Sequence, residues 1–120
     1  MNEKVAEEIA ERREELTELM LALVRPKTME RPAEERRQFI VGFLGLTEAA
    51  ARGDLRPRDE YLEMVIPGTK AAGFGHGDVV GTMVQAAMVL AAVVSRESLP
   101  WCVQFCRDYT VKLIAIWRTA

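Results

Sequence analysis

The stretch 79–95, VVGTMVQAAMVLAAVVS, holds no charged residue over seventeen consecutive positions. It restricts the possible folds more than any other part of the chain. A helix built from it is apolar on every side, and such a helix is buried inside a protein or a bilayer. The run is shorter than the roughly 20 apolar residues that span a membrane, and Asp78 and Arg96 close it. The stretch therefore predicts a buried central helix.

The overall composition is that of one water-soluble domain, predicted to cover residues 1–120. The chain is 49% hydrophobic and 28% charged, with a net charge of −2, which is typical of globular proteins. It has no cluster of Lys and Arg free of carboxylates, so a nucleic-acid partner is not expected. The charged start, MNEKVAEEIAERREEL, is neither a signal peptide nor a transit peptide. These features predict a cytoplasmic protein without a membrane partner.

Apolar spacing and the positions of Pro and Gly predict an all-α fold of five helices. We expect these helices at about 3–24, 32–52, 57–72, 78–96 and 99–118. Pro67 lies within the third helix, and we expect it to kink that helix rather than end it. Glu8 and Arg12 are spaced to pair on the solvent side of the first helix. The last helix reaches residue 120 without a stop signal, which suggests a domain taken from a longer protein or a helix that continues towards a partner.

Few residues are candidates for chemistry. His76 is the single histidine and lies with Phe74 in the glycine-rich corner GFGHG before the central helix. Such a corner can contact an anion or ligand, but a turn that needs glycine is the simpler interpretation. Cys102 and Cys106 lie one helical turn apart without partner cysteines, so we expect buried side chains rather than a disulfide or a metal site. We predict that the protein is not an enzyme, because no catalytic set can be assembled around one histidine.

The last predicted helix is apolar over more than half of its circumference. The central helix can cover only one side of it, so the remainder needs a partner. A symmetric homodimer is the simplest way to supply that partner. We expect the interface to contain Trp101, Tyr109, Leu113 and Trp117.

Three stretches together resemble a known family. They are IAERREELTELMLAL, FLGLTEAAARGD and IPGTKAAGFGHGDVVGTMVQAAMVLAAVV, and they look like the N-terminal sensor domain of RsbR-type stressosome proteins. The resemblance implies a dimeric, globin-like domain that usually lacks haem and serves as a regulatory input. The chain carries no output domain, so the phosphorylation chemistry of full-length relatives cannot be transferred to it.

The expected function follows from these observations and the resemblance. It is a non-catalytic, dimeric signal-sensing or scaffolding domain of a stress-response regulator, which passes a signal through its C-terminal helix to regulatory proteins of a signalling complex. Phe74 and His76 are the expected ligand-binding residues, and no cofactor or metal is expected. The alternative is a globin-like sensor of haem or a small ligand, although His76 at a corner does not match a mid-helix axial ligand.

Overall fold

The computed structural model describes residues 1–24 and 32–120, which form six helices and no strand. The helices are α1 (Glu3–Glu11), α2 (Arg13–Leu23), α3 (Ala33–Ala51), α4 (Arg56–Ala71), α5 (His76–Val93) and α6 (Leu99–Thr119). The all-α prediction is confirmed, but the count of five helices is wrong. Most of the connector between the first two predicted helices lies outside the described residues.

The extra helix arises at Arg12, which separates α1 from α2. Its backbone leaves the helical region, with φ −102° and ψ 14°. Even so, its N–H donates to the Glu8 carbonyl at 2.9 Å, and its own carbonyl accepts from the Leu16 N–H at 2.8 Å. The hydrogen bonding of a helix therefore continues past the break. No Pro or Gly marks this position, so the sequence pattern could not reveal it.

Glycine and proline act at the helix ends much as predicted. Gly53 and Gly73 follow α3 and α4 with φ of 94° and 90°, a conformation that glycine adopts without strain and that commonly ends a helix. Pro67 lies inside α4, and the helix continues through it to Ala71 as predicted, while the kink expected at Pro67 stays a prediction. Pro67 is exposed, so water can solvate the carbonyl that loses its partner at a helical proline.

The helices enclose one core as a ring. Helices α1 and α2 pack on α3, α3 on α4, α4 on α6, α6 on α5, and α5 on α2. Each helix therefore has one side towards the core and one side away from it. All six helices contribute large, fully buried side chains: Ile9, Leu16, Met20, Leu44, Leu62, Ile66, Leu90 and Leu113.

The prediction that the uncharged helix is buried on every side is wrong. Within α5, the buried residues are Met83, Ala86, Val89 and Leu90, and only 22% of the helix is buried. On the opposite side Val84 is 52% exposed and Met88 is 67% exposed. The reason is the place of α5 in the ring, where the core meets a single side of each helix.

Ion pairs join the first two helices to α3. Arg13 contacts Glu48 at 2.5 Å, Arg52 contacts Glu3 at 2.7 Å, and Arg37 pairs with Glu18. These pairs are largely exposed, so water and salt screen them and each adds little to stability. These ion pairs give a role to some of the many charged residues of α1 and α2.

Glu8 does not form the predicted surface pair with Arg12. Its carboxylate accepts hydrogen bonds from the Ser95 N–H at 2.8 Å, the Ser95 hydroxyl at 3.0 Å and the Ser98 hydroxyl. Arg12 instead contacts Glu15 at 3.2 Å. Glu8 thus fixes α1 to the turn between α5 and α6.

Candidate protein interaction surface

The outward side of α5 is apolar along its whole length. Residues three and four positions apart lie on one side of a helix, and the exposed residues of α5 follow that spacing. We call this set the α5 stripe: Gly77, Gly81, Val84, Met88, Ala91 and Ala92. None of its members carries a charge or a hydrogen-bonding side chain.

Helix α6 packs beside α5. The two helices are antiparallel neighbours, and the rings of His76 and Trp117 lie 6.2 Å apart at one end of the pair. Val103 and Val111 on the outer side of α6 are 57% and 61% exposed. The exposed Arg107 lies between these two valines on the same side of α6, so the apolar surface of this helix is interrupted by charge.

The glycines of the stripe have no explanation within the chain. A Cβ added at Gly77 or Gly81 meets no atom within 4 Å, and neither residue has a positive φ. Glycine inside a helix costs about 1 kcal/mol relative to alanine. Close approach of another backbone gives such a glycine a purpose. Gly42 and Gly45 in α3 and Gly68 in α4 are equally open, so open helical glycines are found outside the stripe as well.

The predicted ligand residues lie at the corner between α4 and α5. Phe74 and His76 are both exposed, and the His76 ring contacts Trp117 at the far end of α6. The Lys70 ammonium donates to the backbone carbonyls of Trp117 and Ala120, each at 2.8 Å. The corner therefore joins the ends of α4, α5 and α6, and ligand binding by Phe74 and His76 stays a prediction.

The residues predicted for a dimer interface contribute mainly to the interior of the chain. Tyr109 and Leu113 are only 5% and 1% exposed. Trp101 stacks on Phe105 with ring centroids 5.2 Å apart, and Trp117 is half-buried. These side chains offer little surface to a second copy, whereas the α5 stripe offers much more.

The two cysteines are buried, as predicted. Burial raises the pKa of the Cys102 thiol to about 12 and that of the Cys106 thiol to about 11, because a thiolate is poorly solvated there. Both thiols are therefore protonated, and poorly nucleophilic, near neutral pH. Across residues 1–24 and 32–120, no group of three or more His, Cys, Asp or Glu side chains could hold a metal ion.

By its length and composition alone, helix α5 is long and apolar enough to cross a membrane. Comparison with protein-family models finds no match, and comparisons with curated proteins and with solved structures find none either.

Proposed function

We propose that this chain is a non-catalytic, homodimeric sensor or scaffold domain of a stress-response regulator of the RsbR type. The observation that carries the proposal is the α5 stripe, an uncharged helix side that is open to solvent in the single chain. A surface of this composition is stabilised when a partner covers it. The resemblance of three stretches to RsbR-type sensor domains supplies the regulatory role and the globin-like arrangement.

The contacts at the α4–α5 corner support a route for the signal. Lys70 and His76 contact the last turns of α6 through the Trp117 carbonyl and the Trp117 ring. Helix α6 also packs against both α4 and α5. A ligand or partner that displaces the corner would therefore move the end of α6, and through α6 the regulatory proteins of the complex.

The proposal assigns no catalytic step to the domain. His76 is exposed, and the two thiols are held in their protonated form by burial. The alternative of haem sensing requires an axial histidine held firmly in an enclosed pocket. His76 lies between glycines at the surface, so we expect an absorption spectrum taken after haem addition to lack the Soret band of a bound haem.

The solution mass of the chain tests the proposal. Sedimentation equilibrium from low to high micromolar concentration is expected to give a mass that rises from one chain to two. A mass of one chain at every concentration would refute the dimeric domain.

A further inference from the structure

We propose that Arg58, Tyr61 and Tyr109 form a binding site for the carboxylate of a small organic acid, where α4 packs against α6. The site uses no residue of the α5 stripe and neither Phe74 nor His76, and it requires neither the dimer nor the signalling role. Three observations carry it: a nearly buried guanidinium with one edge free, two phenol hydroxyls without partners, and aromatic rings beside them.

The burial of Arg58 is unusual for a charged side chain. Only 11% of the Arg58 side chain is exposed, whereas 82% of the Arg56 side chain is exposed. Arginine is almost never buried to this degree unless its charge is paired. Here the pairing is partial, because Nε and Nη2 of Arg58 contact a single oxygen of Asp59, at 2.9 Å and 2.8 Å. A guanidinium has five N–H donors, and the Nη1 edge of Arg58 has no partner among residues 1–24 and 32–120.

The two tyrosines of the chain accompany this guanidinium. Tyr61 lies three residues after Arg58 on the same side of α4, and α4 packs against α6, which carries Tyr109. Burial raises the pKa of the Tyr109 hydroxyl most strongly, Tyr61 raises it further, and the Arg58 guanidinium lowers it. The three polar groups are therefore close enough to act on one another electrostatically.

Neither tyrosine hydroxyl has a hydrogen-bond partner within the part of the chain that the structure describes. A buried Tyr hydroxyl usually has one, and Tyr109 is only 5% exposed. Among the same residues, every side-chain N or O atom that is fully enclosed does have a partner. The two hydroxyl oxygens therefore lie at a crevice that opens to the surface, where water or a ligand can reach them.

The donors at this crevice select an anion. Arg58 and the two phenols offer N–H and O–H donors together with one positive charge. A guanidinium binds carboxylates through charge-assisted hydrogen bonds that are stronger than those to water or neutral groups. Because Asp59 occupies one edge of the guanidinium, a ligand carboxylate would take the Nη1 edge, and the nearby negative charge would keep the affinity modest.

The aromatic rings favour an organic acid over inorganic phosphate. Phe43 meets Tyr109 edge-on, with ring centroids 5.9 Å apart, and the rings of Phe105 and Tyr109 lie 6.1 Å apart. Phe43 and Tyr61 are half-buried, so some of this aromatic surface is open to solvent. Small-molecule sites typically combine apolar and aromatic walls with a few convergent polar groups. Benzoate has a ring for these walls and a carboxylate for Arg58, whereas phosphate has no apolar part.

Titration of the full chain with benzoate tests the site, followed by calorimetry and by the NMR signals of Cζ-labelled tyrosine. Because Tyr61 and Tyr109 are the only tyrosines, both signals report on this site alone. We expect benzoate to shift both signals and to bind with a Kd of about 1 mM. Benzamide, which has nearly the same shape but no charge, should bind at least about 10-fold more weakly, and so should inorganic phosphate.

Three variants separate recognition from folding. Arg58→Gln should weaken benzoate binding by at least about 10-fold, because the charge-assisted bonds are lost. The matched control Arg56→Gln, at an exposed position two residues away, should bind benzoate as wild type does. Tyr109→Phe keeps the ring and removes a hydroxyl that has no partner in the described chain, so it should weaken binding without lowering the urea midpoint. Tyr109→Phe therefore decides the matter even if Arg58→Gln fails to fold.

The results that would overturn the site are distinct from those that concern the dimer. Unchanged tyrosine signals at about 10 mM benzoate, ten times the expected Kd, would mean that the hydroxyls bind only water. Equal binding of benzamide would show that the charge of Arg58 is not used, and tighter binding of phosphate would exclude an organic acid. Benzoate binding by a chain that keeps the mass of one chain would support this site and refute only the dimer.

Discussion

The division of α5 into a core side and an outer side predicts opposite results for two neighbouring residues. Leu90 is fully buried, whereas Met88 is 67% exposed. Leu90→Ala removes a buried side chain and leaves a cavity, which costs about 3 kcal/mol. Met88→Ala exchanges one good helix former for another at the surface, so the single chain should change by less than about 0.5 kcal/mol.

A loss of this size at Leu90 is large for a protein of 120 residues. Domains of this length are stable by about 6–18 kcal/mol, and 3 kcal/mol corresponds to roughly 12 °C in Tm. Urea unfolding followed by circular dichroism measures both variants against wild type. Low protein concentration keeps the dimer from contributing.

The result for Met88 is the stricter part of this test. A loss of several kcal/mol in the dilute Met88→Ala chain would mean that α5 is buried on both sides, as its composition suggested. A negligible loss for Leu90→Ala would mean that the core side has been assigned incorrectly. Either result would refute the ring arrangement around α5.

Three further predictions concern other parts of the molecule. Glu8→Ala should lower the free energy of unfolding by about 2–3 kcal/mol, because Glu8 accepts three hydrogen bonds, one from the Ser95 N–H and two from the hydroxyls of Ser95 and Ser98. Glu7→Ala, at an exposed position, should change the free energy of unfolding little, and equal effects of the two variants in urea unfolding would contradict the role of Glu8. The contribution of the two thiols to stability should be constant up to about pH 8 and then fall, because the folded thiols ionise near 12 and 11 while unfolded thiols ionise near 9. The loss is about 1.4 kcal/mol per thiol at pH 10, and a Cys102→Ala, Cys106→Ala variant whose stability falls as steeply between pH 8 and pH 10 as that of wild type would refute this cause. Gly81→Ala should raise the free energy of unfolding of the dilute chain by up to about 1 kcal/mol and should weaken the dimer. A Gly81→Ala variant that dimerises as well as wild type would show that Gly81 does not serve the close approach of a second copy.

The sequence predicted the helices well because their signals are local. Gly53 and Gly73 mark where α3 and α4 end, and the apolar spacing gave the extent of α6 to within one residue. The break at Arg12 was missed because it depends on backbone geometry without a Pro or Gly signal. The hydrogen bonds of Glu8 were missed because their partners, Ser95 and Ser98, are distant in the chain.

The exposed stripe was missed for a different reason. A helix that is apolar all round has no contrast between its sides, so periodicity cannot tell which side faces the core. Gly77, Gly81, Val84 and Met88 follow one another at alternating steps of four and three, which places them on one side of the helix. This spacing could have indicated that α5 has a second apolar side, separate from the side that faces the core. Conversely, Tyr109 and Leu113 looked like surplus apolar surface on α6, but α4 and the rest of the core cover them.

The central claim is that the outer side of α5 is where two copies meet, and sedimentation equilibrium of Met88→Glu beside wild type tests it most directly. We predict that wild type reaches the mass of two chains at high micromolar concentration. Met88→Glu should keep the mass of one chain, with unchanged helix content and an unchanged urea midpoint at low concentration. A Met88→Glu protein that dimerises like wild type would contradict the claim.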